Sequence, residues 1–213
     1  MTKLQAFIIP VTPFQQNCSL VYDDTKKIGA IVDPGGDVPL ILEAISKSGV
    51  MIEKILLTHG HIDHAGGAAA LKEALKVPIE GPHMEDLFLL EALPESGAKY
   101  GMMDARVVTP DRWLKEGDTV TVGDLSFAVY EAPGHTPGSV VFLNVENRFA
   151  LMGDVLFQGS VGRTDFPYGD HETLLKSIRE KLFPLGDDVV FLAGHGSPST
   201  IGEERRSNPF LQG

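Results

Sequence analysis

Thr58-His59-Gly60-His61-Ile62-Asp63-His64 follows directly on the apolar run Ile55-Leu56-Leu57. Four metal-ligating side chains, including three of the chain's seven histidines, fall within six residues. Imidazole and carboxylate are the usual protein ligands of zinc and similar divalent ions. The apolar run reads as a strand that ends where the ligands begin. Alternate residues of an extended segment point the same way, so His59, His61 and Asp63 face one pocket if the strand continues. His64 looks elsewhere unless a turn begins there. A strand end followed by a turn would feed two adjacent ions, one through His59 and His61, the other through Asp63 and His64. The plain alternative is a solvated polar turn, which gives no reason to concentrate ligands in this way.

Two other histidines share a strand-end setting flanked by glycine. His135 lies in Ala132-Pro133-Gly134-His135-Thr136-Pro137-Gly138, after Phe127-Ala128-Val129-Tyr130. His195 lies in Ala193-Gly194-His195-Gly196, after Val189-Val190-Phe191-Leu192. Glycine allows close backbone approach and positive φ, so both read as ligands. His83 and His171 lack that setting and read as structural or surface residues. Asp154 follows Phe149-Ala150-Leu151-Met152-Gly153. A carboxylate has two oxygens and can span two cations, whose mutual repulsion calls for an anionic bridge. Asp154 is the candidate for that bridge.

The order H-x-H-x-D-H, Pro-Gly-His-Thr-Pro-Gly, Gly-Asp and Gly-His resembles the metallo-β-lactamase-fold hydrolases. The resemblance runs from about Asn17 to Phe210. Within that superfamily the chain is similar to the glyoxalase II branch, the hydroxyacylglutathione hydrolases, in its short bacterial form. The resemblance implies a first metal held by His59, His61 and His135. It implies a second held by Asp63, His64 and His195, with Asp154 between them. The longer glyoxalases II carry a C-terminal helical domain that helps bind glutathione. This chain ends at Gly213, which leaves the thiol carrier open.

Net charge is −11 with no basic cluster, which argues against a nucleic-acid surface and against the nucleases of the same superfamily. The length suits one domain over residues 1–213 with a substantial core. Cys18, the only cysteine, allows no intrachain disulfide and reads as a small buried residue. The N-terminal apolar stretch is cut by Pro10 and Pro13, so it reads as neither signal peptide nor membrane span. The expected compartment is the cytoplasm, with neither membrane nor nucleic acid as partner.

Strand-like runs alternate with helical ones along the chain. A first helix is expected from an N-cap at Asp37 to a stop at Gly49, and a second from about His64 to Lys76. Met84 to Leu93 looks helical. Thr119–Val122 and Leu125–Tyr130 flank a Gly123-Asp124 hairpin turn. Val140–Val145 and Phe149–Met152 form a second pair. A helix follows Asp170, then the strand Val189–Leu192 and a short helix near Ile201–Arg206. The pattern supports a mixed α/β class. The four-layer αββα sandwich is implied by the resemblance.

The loop Gly159–Asp170 follows the Asp154 strand. Arg163 offers a bidentate grip on a substrate carboxylate, or else a salt bridge to Asp165. In relatives the equivalent loop holds the glycine carboxylate of glutathione. Tyr168 is a candidate for the pocket wall. Asp33 is either a support for the ligands or a simple Asx turn.

Two ions sharing a water lower its pKa to about 7 and make hydroxide available at neutral pH. A thioester suits that chemistry because its thiolate leaves without a strong acid. There is no G-x-S-x-G elbow. The sequence therefore reads as a metal-dependent thioester hydrolase acting on small molecules such as S-lactoylglutathione. Asp63 and Asp154 are its catalytic carboxylates, and Arg163 and Tyr168 its substrate contacts. Zinc is the default ion, with iron or manganese as alternatives. Persulfide dioxygenases share the fold and a Gly-Arg-Thr-Asp-Phe loop like residues 162–166. In them His59, His135 and Asp154 would correspond to a single-iron facial triad. A non-catalytic metal-binding module is the third reading.

Overall fold

Strands β1 (Leu4–Val11), β2 (Gln16–Asp23), β3 (Ile28–Val32), β4 (Met51–Leu56) and β5 (Ile79–Glu80) form one sheet in that order. The computed structural model describes residues 3–212. Side chains alternate across this sheet with period two. Leu20, Ile31, Ile55 and Leu57 pack outward against Ile41 of α1 (Val38–Ser48) and against Ala68 and Leu71 of α3 (Ala68–Leu75). Val21, Ala30, Val32 and Leu56 point the other way. There they meet Phe127, Phe142 and Leu151 of a second sheet.

That second sheet contains β6 (Thr119–Val122), β7 (Leu125–Glu131), β8 (Val140–Asn144), β9 (Phe149–Leu151), β12 (Val190–Leu192) and β13 (Ser199–Thr200). Its spatial order is β13-β12-β9-β8-β7-β6. A small hairpin, β10 (Leu156–Phe157) with β11 (Ser160–Val161), follows β9. The outer face of the second sheet carries Val141, Leu143, Ala150 and Phe191. These are covered by α6 (His171–Ser177), its continuation to Leu182, and α7 (Ile201–Ser207). The layers are helices, sheet, sheet, helices: a metallo-β-lactamase-type αββα sandwich, as the resemblance implied.

Strand direction places the candidate ligands. β3 and β4 are parallel, so both deliver their C-termini to one edge of the first sheet. β9 and β12 are parallel, and β8 runs antiparallel to both β7 and β9. The C-terminal ends of β7, β9 and β12 therefore share one edge of the second sheet.

Three local expectations need correction. The helix expected over 64–76 is two helices, α2 (Ile62–Ala65) and α3, separated at Gly66-Gly67. Gly67 N donates to Pro34 O there, and a Cβ at Gly66 or Gly67 would strike the Asp33–Gly36 turn or α2 itself. Asp37 is not a side-chain cap. It is left-handed (φ 48°), and its carboxylate accepts from Thr12 N at 2.6 Å. The Met84–Leu93 stretch is a 3-10 turn (Met84–Asp86), then α4 (Leu87–Glu91), and α5 (Leu93–Tyr100) follows. Gly49 does end α1 in the left-handed conformation.

Phe142 is fully buried between the sheets. Phe142→Ala should cost about 3–5 kcal/mol, read as a lower urea midpoint with an unchanged slope.

Candidate metal centre

His59, His61, Asp63 and His64 do not continue a strand. The chain leaves β4, passes Thr58 to His61 in an irregular extended run, and enters α2 at Ile62. His61 is still extended (φ −66°, ψ 153°), while Asp63 and His64 lie in the helical turn. The alternation expected for Asp63 is thus replaced by a helix start, which points Asp63 and His64 toward a second group of residues.

Three imidazoles converge first. His61 Nδ1 lies 3.1 Å from His59 Nε2 and 2.9 Å from His135 Nε2. Three nitrogens at tetrahedral angles around one ion, with bonds near 2.0–2.1 Å, stand about 3.3 Å apart. The spacing fits one ion. Beside it, Asp63 Oδ2 lies 3.2 Å from His195 Nε2 and 3.9 Å from His64 Nε2. Asp154 sits between the groups. Its Oδ1 is 3.3 Å from His64 Nε2, and its Oδ2 is 3.6 Å from His135 Nε2 and 3.7 Å from His195 Nε2. All seven sequence-nominated ligands meet here. His83 and His171 do not: His83 Nδ1 accepts from Glu85 N, and His171 lies near Thr164.

The ring nitrogens facing inward are kept as acceptors from behind. His64 Nδ1 donates to Asp33 Oδ2 at 2.9 Å, and His135 Nδ1 donates to Arg163 O at 2.7 Å. Thr58 Oγ1 donates to Asp33 Oδ2 at 2.6 Å, so it accepts from His59 Nδ1 at 3.0 Å. His61 turns the other way: Nε2 donates to Tyr168 Oη at 2.8 Å, leaving Nδ1 free. Such outer partners fix the tautomer and ring direction of a metal ligand. His64 Nε2 and Asp154 Oδ1 are buried with no well-formed hydrogen bond. Buried polar atoms are normally partnered, and a cation between them satisfies both. The donor set, with its orphaned atoms, therefore fits divalent metal.

Charge points the same way. Burial, reinforced by neighbouring imidazoles, holds His59 and His61 below the usual histidine range, His61 at about 3. Burial also lowers His135 against the pull of Asp154. These rings stay neutral, as ligands must. Burial opposes ionisation of Asp154, yet His64 at its side holds the carboxyl well below its ordinary value. His64 is driven up against its own burial by Asp154 and Asp63. The two carboxylates thus create a demand for positive charge at this point.

Asp33 resolves in favour of support. It is left-handed (φ 51°), and its two oxygens accept from Thr58 N, Thr58 Oγ1 and His64 Nδ1, behind the His59 and His64 rings. Glycines let the rest close up. A Cβ at Gly194 would overlap Asp154 Oδ1, and one at Gly153 (φ +51°) would press on Thr58. Asp86 was missed by sequence reasoning. It is fully buried and accepts from Gly60 N, Thr136 Oγ1 and Gly138 N. Burial raises it to about 6, against those three donors. Its partners lie 26 to 52 residues away, and no local pattern marks such a residue.

The centre opens into a pocket of about 400 Å³ lined by Phe14, Leu89, Tyr100, Phe157, Phe166 and Tyr168. Arg163 borders it, but its guanidinium is paired with Asp165 at 2.7 Å through both Nε and the terminal nitrogen, and lies over the Phe166 ring. Phe166 and Tyr168 stack at 5.4 Å. Burial and the charge of Asp86 push the Tyr168 phenol up to about 12, so it stays neutral.

The chain is 50% identical over 205 residues to a Haemophilus influenzae protein named hydroxyacylglutathione hydrolase GloC, with 96% of each chain covered. A solved structure of TTHA1623 in a di-iron-bound form superposes with a TM-score of 0.86 at 36% identity, covering 96% of this chain and 100% of that one. The BLEG-1 B3 metallo-beta-lactamase superposes with a TM-score of 0.89 at 37% identity, covering 98% and 100%. Among the described residues no helix is long and apolar enough to cross a membrane. Residues 11–195 match the family model described as the metallo-beta-lactamase superfamily, and the chain belongs to that superfamily.

Proposed function

We propose that this chain, acting as one domain, is a metallohydrolase that cleaves thioesters of small molecules, with S-lactoylglutathione as the representative substrate. The observation that carries the two-ion form of this reading is Asp154. Its Oδ1 faces His64 of one group, and its Oδ2 stands between His135 of the other group and His195, so the carboxylate reaches both groups, as a bridging one would. His59, His61 and His135 are assigned to one ion, and Asp63, His64 and His195 to the other. The relative bound to two irons supports the same nuclearity, and the relative named as a hydroxyacylglutathione hydrolase supports the substrate class. Zinc, iron and manganese all suit the donor set.

When bound, the ions lower the pKa of water to about 7 and polarise a carbonyl. The chain's own residues do the rest. Asp63 and Asp154 place carboxylate oxygens on the pocket floor, where they orient the attacking water. Tyr168 Oη accepts from His61 Nε2 and keeps its own proton, which it can donate to a substrate oxygen. The aromatic wall excludes bulk water. The leaving thiolate needs no protein acid, because a thiol pKa near 8.5 makes it a good leaving group. A panel of thioesters, a β-lactam, and oxygen uptake with glutathione persulfide tests the reading on metal-loaded protein. Oxygen uptake without thioester turnover would replace it by the dioxygenase.

Asp154→Asn removes the charge between the two groups. It should lower metal content at both sites and nearly abolish thioester cleavage, checked by elemental analysis beside the assay. Full activity in that variant would remove Asp154 from the site.

Arg163 must exchange Asp165 for a substrate carboxylate in order to bind it. Arg163→Ala should raise KM for glutathione thioesters roughly 10- to 100-fold, the worth of a charged hydrogen bond. Small uncharged thioesters and metal content should be unaffected. An equal loss for both substrate types would assign Arg163 to the Asp165 pair alone.

A further inference from the structure

The mechanism above makes no use of Asp86, although it is one of the most deeply buried charged groups in the molecule. Its side chain is fully buried, at the end of the Met84–Asp86 turn that leads into α4. Three donors converge on it. Oδ2 accepts from Gly60 N at 2.8 Å and Thr136 Oγ1 at 2.8 Å, and Oδ1 accepts from Gly138 N at 2.6 Å. Gly60 stands between His59 and His61, and Thr136 follows His135. The carboxylate therefore joins, from behind, the two loops that carry the three converging imidazoles. Each loop is shaped to admit it. A Cβ at Gly138 would fall 2.7 Å from Asp86 atoms, and one at Gly60 would press on Leu89 and on Asp86 O. His83 N donates to Gly138 O at 3.1 Å, so the same turn grips the His135 loop a second time.

No other contact of comparable burial links Gly60 to the 134–138 loop among the described hydrogen bonds. The flanks of the two loops are tied by Val140 N donating to Thr58 O at 2.8 Å, outside both loops; inside them the remaining approach is that of His61 Nδ1 to His135 Nε2, at 2.9 Å. That approach is between two groups which, as neutral acceptors, repel. Something must hold them together before an ion arrives. Asp33 performs the matching task on the other side, for His64 directly and for His59 through Thr58.

We propose that Asp86 is a positioning residue for the His59–His61–His135 group, fixing the separation of the His61 and His135 loops and thereby the affinity of that one metal position. The proposal rests on the metal-centre reading above and adds a residue outside its ligand set.

The test is stepwise zinc binding by apo protein, measured by competition with a chromogenic chelator, with thermal unfolding of the apo form alongside. Asp86→Asn keeps size and one acceptor but turns an N–H donor toward a backbone N–H. It should weaken one zinc equivalent about 10- to 100-fold, as loss of an outer-shell partner does, and leave the other within threefold. In a His195→Ala background, which retains the three imidazoles, the single remaining equivalent should show the same loss. Glu204→Gln is the control. Glu204 is an equally buried carboxylate holding Gly159 N, Ser199 and Asn208, away from the ligands. It should lower the apo melting temperature without separating the two affinities. If Asp86→Asn does not fold, Thr136→Val removes one of the three bonds and should give a smaller loss in the same equivalent. Unchanged stepwise affinities in a variant with a lowered melting temperature would overturn the proposal and leave Asp86 a stabilising residue only. Equal weakening of both equivalents would overturn it too. Wild-type protein that takes up a single equivalent would count against the two-ion reading instead. Asp86 would then be judged on whether its variant weakens that one.

Discussion

The carboxylate of Asp33 is the constraint on which the centre depends. It ends β3 in a left-handed conformation and accepts from Thr58 N, Thr58 Oγ1 and His64 Nδ1. Two parallel strands are thereby tied at their C-terminal ends, and two imidazoles are given their tautomers by one group. A buried carboxylate is costly unless its lone pairs are filled. Here they are filled by groups that themselves need fixing. Thr58 in turn is packed by Gly153, so the β9 loop carrying Asp154 seats on the same point. Removing the Asp33 carboxylate altogether would leave three donors without an acceptor, a penalty on the order of 1–3 kcal/mol for each buried group.

The sequence was legible where chemistry is written locally. His59 to His64 is a run of ligand types with no structural excuse, and His135, Asp154 and His195 stand at the ends of apolar runs. The two sheets were less legible. Alternation in Leu20-Val21 or Ile55-Leu56-Leu57 is masked because both faces of these strands are buried, one under helices and one under the second sheet. Such strands read as continuous apolar runs. The break at Gly66-Gly67 was hidden because the flanking alanines suit a helix, whereas the close approach of the Asp33–Gly36 turn is a tertiary fact. Asp37 carried a cap signal that a distant Thr12 amide outcompeted. Asp86 was invisible for a similar reason: its partners come from two other loops.

The electrostatics of the pocket run opposite to those of the molecule. The chain as a whole carries −11, and at the pocket floor the anionic side chains among the candidate ligands are Asp63 and Asp154. Two divalent ions, as proposed, would bring four positive charges against those two negative ones. A loaded centre is a local positive spot in an acidic protein, and its field acts at short range because salt screens beyond about 10 Å. It favours a carbonyl oxygen gathering charge or a departing thiolate. The surrounding Phe166, Phe14 and Tyr100 add contact area without charge. With thioesters as the proposed substrates, selectivity among neutral ones would fall to shape, and among anionic ones to Arg163 if it leaves Asp165.

Each group of ligands draws on both sheets. His61 and His135 are 74 residues apart in the chain, and Asp63 and His195 are 132 apart. An ion in either position is a cross-link that closes a very long loop. In chain-entropy terms a covalent closure of that span is worth on the order of 4 kcal/mol. Ions held there would act as removable staples between the two halves of the sandwich. Metal starvation would lengthen the open, protease-accessible lifetime of the fold as well as silence its chemistry. The cell's metal supply would in this way set how much of the protein persists.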